Sequence, residues 1–117
     1  MDVLSWAILL LIATLAMHLV EEVRARFRQK FPLREIPKTF FIGINIFIYT
    51  FCLATFLLAV FNHGFAAPFA WAFAIAMLIN GIGHIGMMIW KRKYFPGGLT
   101  SPLLIIVSAF LIMQLIA

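Results

Sequence analysis

Residues 65–93 read FAAPFAWAFAIAMLINGIGHIGMMIWKRK, an apolar stretch whose only charged side chains are the three basic residues at its end. A bilayer core about 30 Å thick is crossed by roughly 20 helical residues, so this stretch is long enough to span it. Pro68 lies near its start, where proline is tolerated in a helix. The stretch therefore predicts a transmembrane helix with a basic boundary at one end.

Three further apolar stretches flank it, at residues 3–23, 40–61 and 99–117. Hydrophobic residues make up 65% of the 117 positions and charged residues only 11%, which is outside the range of ordinary soluble domains. The single cysteine, Cys52, indicates no intrachain disulfide. We predict an all-α membrane protein with one membrane domain, residues 1–117, built as a four-transmembrane-helix bundle with helices at about 3–23, 40–61, 65–90 and 99–117.

Basic residues fall in only two of the three connections between these stretches. The first and third connections hold all 9 of them: Arg24, Arg26, Arg28, Lys30, Arg34, Lys38, Lys91, Arg92 and Lys93. Because cytoplasmic loops carry the excess of Lys and Arg, this bias predicts that both termini are extracytoplasmic. We expect a multi-pass protein of a bacterial inner membrane, with membrane lipids as partners and no bound nucleic acid. The sequence does not decide between a monomer and a homo-oligomer.

Polar side chains interrupt the apolar stretches at two places that share a pattern. The first stretch ends in HLVEE, and spacings of three and four residues place His18 on the same helix face as Glu21 and Glu22. The third stretch carries Asn80 and His84, which are also four residues apart. Polar residues in a membrane usually face the interior of the bundle and mark function, so these five form a candidate site.

The depth of these residues can be counted from the nearest basic residue. His18, His84 and Asn45 of the second stretch each lie about 9–11 Å inside that boundary, at 1.5 Å per residue. The shared depth favours one site built from three helices. Taken singly, Asn45 is also typical of a hydrogen bond between helices, and His18 of a bridging side chain.

Three motifs resemble those of a known family. HLVEE at 18–22, NGIGH at 80–84 and YFPGGLT at 94–100 match, in order, the HxxEE, NxxxH and YxPGxxT motifs of the HXXEE membrane-protein family. The resemblance covers most of the chain and implies no particular activity. It implies the following functional set: His18, Glu21, Glu22, Asn80, His84, Tyr94, Pro96, Gly97 and Thr100.

The residue types themselves favour a metal site. Two imidazoles with one or two carboxylates suit a divalent ion, zinc or iron/manganese, so we predict the ligands His18, Glu21, Glu22 and His84. Asn80 is placed behind His84, where it can orient the ring. The glutamate that does not bind the metal is a candidate general base on a bound water.

The loop 94–100 lies at the same end of the bundle and can hold a lipid headgroup. Its glycines allow close backbone approach, and Tyr94 and Thr100 offer hydroxyls for catalysis alongside the glutamates. The predicted substrate-binding residues are Asn45, Lys91, Arg92, Pro96 and Gly97. The combined hypothesis is a membrane-embedded, metal-dependent enzyme, a hydrolase, that acts on a lipid or lipid-like substrate.

Three other functions fit the same residues. A small proton-coupled transporter would use an intramembrane glutamate, but the 9 basic residues are biased to one side more strongly than in dual-topology transporters. A bis-histidine haem protein would use His18 and His84 as axial ligands. A structural membrane subunit would need no chemistry at all. Metal content and a haem spectrum separate these alternatives.

Overall fold

A computed structural model describes residues 1–32 and 34–117 as five helices, with no strand among them. The helices are α1 (Val3–Arg24), α2 (Phe27–Lys30), α3 (Lys38–Val60), α4 (Ala66–Lys91) and α5 (Ser101–Ile116). The prediction of an all-helical chain is therefore confirmed for the described residues. The four long helices overlap the four apolar stretches, whereas the short helix α2 was not predicted.

Local backbone chemistry sets the helix ends. The Asp2 side chain accepts a hydrogen bond from the Ser5 amide (2.9 Å) and caps α1. Arg26 adopts a left-handed conformation (φ 60°), which separates α1 from α2, and Arg92 (φ 54°) ends α4 in the same way. These two left-handed residues turn the chain sharply at one end of the bundle.

Three helices are long and apolar enough to cross a membrane: α1, α3 and α4. Helix α5 has 16 residues, about 24 Å at 1.5 Å per residue, and is shorter than a 30 Å hydrocarbon core. The sequence predicted a slightly longer fourth helix, from residue 99. The structure begins α5 at Ser101 because the preceding residues form the loop that faces the candidate site.

Helix α5 packs between α1 and α4, and α3 packs against α1 and α4 from the other side. A Cβ atom built on Gly81 of α4 would lie 2.7 Å from the Ile105 side chain, so this glycine permits the close approach of α4 and α5. Of the four long helices α3 is the most exposed, and its buried residues, Cys52, Thr55 and Ala59, lie in its second half. The first ten residues of α3, 38–47, therefore stand apart from the core.

Helices α1 and α4 end, and α3 and α5 begin, at the end of the molecule that carries all the basic residues, which we call the basic end. The contacts across it join α1, α4 and the loop before α5, as well as α2 and α3. The hydrophobic core fills the rest of the bundle, with Ile8, Leu11 and Leu104 completely buried. Polar contacts between helices are thus concentrated at the basic end.

Candidate metal centre

Two histidines from different helices meet at the basic end. The Nε2 atoms of His18 (α1) and His84 (α4) lie 3.3 Å apart, and the rings are nearly perpendicular, with centroids 4.6 Å apart. The His18 side chain is 0% exposed and that of His84 is 6% exposed, so bulk water does not separate them. The structure therefore places these two predicted residues in one buried cluster.

Glu22 completes the cluster. Its two carboxylate oxygens lie 3.8 Å from His18 Nε2 and 3.4 Å from His84 Nε2, and the side chain is only 11% exposed. Among the described residues, His18, Glu22 and His84 form a group whose ligand atoms could hold a metal ion. Two ligand atoms bound tetrahedrally at 2.0–2.1 Å are separated by about 3.3–3.4 Å, close to the spacing seen here.

The hydrogen bonds behind the histidines decide which nitrogen carries the proton. The Pro96 carbonyl can only accept, so His84 donates to it from Nδ1 (2.6 Å). The Thr100 hydroxyl donates its single proton to Glu21 (2.7 Å) and therefore accepts one from His18 Nδ1 (2.7 Å). In its neutral form each imidazole is thereby assigned the tautomer that carries the proton on Nδ1 and leaves Nε2 as an acceptor.

Glu21 lies next to Glu22 but accepts hydrogen bonds from the loop 94–100 and not from the histidines. One of its oxygens accepts from the Tyr94 hydroxyl (2.5 Å) and the Leu99 amide (3.0 Å), and the other from the Thr100 amide (2.9 Å) and hydroxyl (2.7 Å). Desolvation and the bond to Glu21 raise the pKa of Tyr94 to about 12, so the phenol keeps its proton at neutral pH. The geometry thus separates the two glutamates: Glu22 faces the imidazoles, and Glu21 holds the loop.

Gly97 allows the loop to pass over both imidazoles. Its φ of 94° is unfavourable for residues with a side chain, and a Cβ built there would collide with the His84 ring and lie 2.9 Å from His18. The Ser101 hydroxyl donates to the Gly97 carbonyl (2.6 Å) and fixes the turn from the other side. The predicted motif residues Pro96, Gly97 and Thr100 therefore reach the cluster through backbone and hydroxyl groups.

Three other predicted residues, Asn45, Lys91 and Arg92, lie outside the cluster. Asn45 donates to the Phe41 carbonyl of its own helix (2.8 Å), because residues 38–47 of α3 stand apart from the core. Lys91 lines a surface depression beside the loop, and Arg92 is the exposed cap of α4. The Pro96 carbonyl, not Asn80, accepts from His84 Nδ1. The Asn80 side chain instead interacts with His18, and it lines a cavity of about 370 Å³ beside the His84 ring.

Two phenylalanines that the sequence analysis did not identify cover the cluster. The Phe27 ring centroid lies 5.2 Å from that of His84, and the Phe95 centroid lies 5.8 Å from it. Phe27 reaches this position because Arg26, in the left-handed conformation, turns the chain between α1 and α2. Phe95 lies within the YFPGGLT motif, so the sequence contained a signal that could have identified it. Phe27 lies outside all three motifs, and no sequence signal points to it. Apolar rings around a metal site lower its dielectric constant and limit the access of water.

A comparison with curated proteins and with solved structures finds no match to the chain. One family model, described as a protein of unknown function with HXXEE motif, matches residues 9–112, which is nearly the whole chain. The matched range includes all three motifs. The first motif supplies His18 and Glu22, the second supplies His84, and the third is the loop whose hydrogen bonds fix the imidazole tautomers. The chain belongs to the HXXEE family.

Proposed function

We propose that the chain is an integral membrane protein of four transmembrane helices, with both termini outside and the basic end in the cytoplasm. The support is the length and apolarity of α1, α3 and α4, together with the confinement of all 9 basic residues to one end. Helix α5 packs between two spanning helices, and a short span is accommodated by local thinning of the bilayer. The cluster then lies within the cytoplasmic leaflet.

We infer that His18, Glu22 and His84 bind a divalent metal ion, zinc or iron/manganese. The observation that carries this inference is that the two Nε2 atoms, both acceptors in the assigned tautomers, lie 3.3 Å apart with the Glu22 carboxylate beside them. Such acceptor atoms repel one another in a buried site unless a cation lies between them. Two histidines and one carboxylate suit zinc, and the same set binds iron(II) in oxygenases.

Three protein ligands distinguish a catalytic site from a structural one, because structural zinc sites usually have four. The proposed activity is the hydrolysis of a lipid or lipid-like substrate in the cytoplasmic leaflet. A bound ion would polarise a substrate oxygen and activate water. The protein's part is to hold the ligands: Glu21 fixes the loop, and the loop fixes both imidazoles through Thr100 and Pro96.

The second candidate is a proton relay, which would serve a small proton-coupled transporter. One proton shared between the two Nε2 atoms would also relieve the repulsion across 3.3 Å, with Glu22 balancing the charge. A metal site and a proton relay make opposite predictions for metal content. If the purified protein binds no ion, the proton relay is therefore the proposal that remains.

A bis-histidine haem is less compatible with this packing. Axial ligation places two Nε2 atoms about 4 Å apart, at roughly 2 Å on either side of an iron whose porphyrin lies between them. Here the two atoms are 3.3 Å apart and Glu22 lies within 3.8 Å of both. The cluster has the size of an ion site.

The proposed activity is tested with protein reconstituted in liposomes of bacterial phospholipids, with products followed by mass spectrometry. We expect metal-dependent release of a hydrolysis product, loss of release with a chelator, recovery on adding metal, and no product from Glu22→Gln. The Arg34→Gln variant, which changes an exposed residue of the first loop, is the control. Equal product from wild type and Glu22→Gln, or none from either with metal bound, would contradict the hydrolase proposal.

A further inference from the structure

A cavity of about 390 Å³ opens beside Glu22, and its lining includes no residue of the loop 94–100. Its lining combines two kinds of side chain. Basic groups come from Arg26 and Lys38, and apolar surface comes from Phe27, Phe41 and Ile42. Because Glu22 also lines the cavity, a molecule bound there would touch the proposed metal centre.

The charges of this cavity are predominantly positive. Arg28 also lines it, but its guanidinium is paired with Glu35 (2.7 Å) and donates to the Ile36 carbonyl (3.3 Å). The Ile36 amide in turn donates to the Arg28 carbonyl (2.7 Å), so Ile36 is held against α2. That leaves Arg26 and Lys38 as the cationic groups facing the cavity, against Glu22, whose charge is shared with the histidines or the ion.

The apolar wall of the cavity continues into the surface that faces lipid. Phe41 and Ile42 lie in the first half of α3, which has no buried residue, and the Ile42 side chain is 47% exposed. A bound molecule can therefore extend from the basic groups along α3 without leaving an apolar surface. A site that is cationic at one end and open to hydrocarbon at the other fits an anionic amphiphile.

We propose that this cavity binds an anionic phospholipid, with its phosphate between Arg26 and Lys38 and its acyl chains along Phe41 and Ile42. The inference rests on the proposed function in one respect, since it makes this lipid the substrate class presented to the metal centre at Glu22. The lipid-binding part stands on the cavity alone. Soluble phosphate is a poor occupant because it would leave the apolar wall uncovered.

The test measures binding of phosphatidylglycerol by native mass spectrometry in a neutral detergent with the metal chelated. Phosphatidylcholine and glycerol 3-phosphate are the comparison ligands. Wild type should prefer phosphatidylglycerol, and Arg26→Gln/Lys38→Gln should weaken its binding roughly 25-fold, at about fivefold per basic group. Arg34→Gln/Lys93→Gln removes the same charge from residues outside the cavity lining and should leave binding within about twofold.

Three results would overturn the inference: equal weakening by the two double variants, equal affinity for phosphatidylcholine, or glycerol 3-phosphate bound as tightly as the lipid. If Arg26→Gln/Lys38→Gln folds poorly, Lys38→Gln alone at the exposed start of α3 gives the same comparison with Lys93→Gln. The His84→Ala variant separates the two proposals. This variant should lose the metal and keep the lipid. A wild-type protein that binds no metal but still prefers phosphatidylglycerol would contradict only the enzyme proposal, whereas loss of the lipid preference with metal still bound would contradict only the lipid site.

Discussion

His18 and His84 lie 66 positions apart in the chain, and their Nε2 atoms come within 3.3 Å in a buried cluster at the basic end of the bundle. Helices α1 and α4 pack mainly on α5, so the loop 94–100 and its hydrogen bonds bring the two rings together. A buried acceptor without a partner costs about 1–3 kcal/mol, which a bound cation would remove. The cluster is therefore arranged to hold a positive charge.

Thr100→Val should weaken metal binding about 10- to 100-fold, as changes behind a metal ligand usually do. The substitution keeps the shape of the side chain but removes the hydroxyl that accepts from His18 Nδ1. Affinity is measured by competition with a coloured chelator. Thr100→Ser should restore binding, and Ser108→Ala, at a buried hydroxyl with no partner, is the control. Unchanged affinity in Thr100→Val would show that the hydroxyl does not set the tautomer.

Glu21→Gln and Glu22→Gln should produce different defects. Glu21→Gln weakens the hydrogen bonds that hold the loop, so the amides of Leu99 and Thr100 should exchange hydrogen faster and stability should fall by about 1–3 kcal/mol. Glu22→Gln should leave that exchange unchanged and remove metal. Hydrogen exchange with mass spectrometry and metal analysis are run on both variants. The same defect in both would mean that the glutamates do not have separate roles.

Gly97→Ala should disrupt the centre. The added methyl group would be forced into the His84 ring, and the φ of 94° strains any residue with a Cβ. We expect metal affinity to fall by more than about tenfold. Gly83→Ala is the matched control on α4, where a Cβ meets nothing within 4 Å, and it should be neutral or slightly stabilising. Wild-type affinity in Gly97→Ala would contradict the close approach of the loop.

The topology can be tested by labelling single cysteines in cells. Cys52 is completely buried and is replaced by alanine to give a clean background. A cysteine at His63, between α3 and α4, should react with a membrane-impermeant maleimide from outside. A cysteine at Gln29, on α2, should react only after the membrane is permeabilised. The reverse pattern would place the basic end and its cluster on the outer side.

Sequence reasoning located the histidine pair because helical depth is simple arithmetic. Counting 1.5 Å per residue placed His18 and His84 at one level, and the structure brings them into contact. The same count placed Asn45 at that level, yet it bonds within its own helix. Depth does not report helix position or rotation, and residues 38–47 of α3 stand away from the core.

The roles of the two glutamates could not be separated from the sequence. Positions three and four after His18 both share its helix face, so residue spacing alone gives Glu21 and Glu22 the same predicted role. Their partners depend on where the loop 94–100 passes, which is a tertiary property. Phe27 could not be predicted for a similar reason. Its position depends on the left-handed backbone conformation of Arg26, and arginine rarely adopts that conformation.

Metal stoichiometry of the purified protein tests the central claim most directly. The protein is purified through a tag without histidine, and elemental analysis is run on wild type, His84→Ala and His63→Ala. We expect close to one zinc, iron or manganese ion per chain in wild type and in His63→Ala. His84→Ala should be nearly metal-free but folded, because the helices satisfy their own backbone hydrogen bonds in lipid. A folded wild-type protein without metal, and with no gain in thermal stability from these ions, would contradict the metal centre.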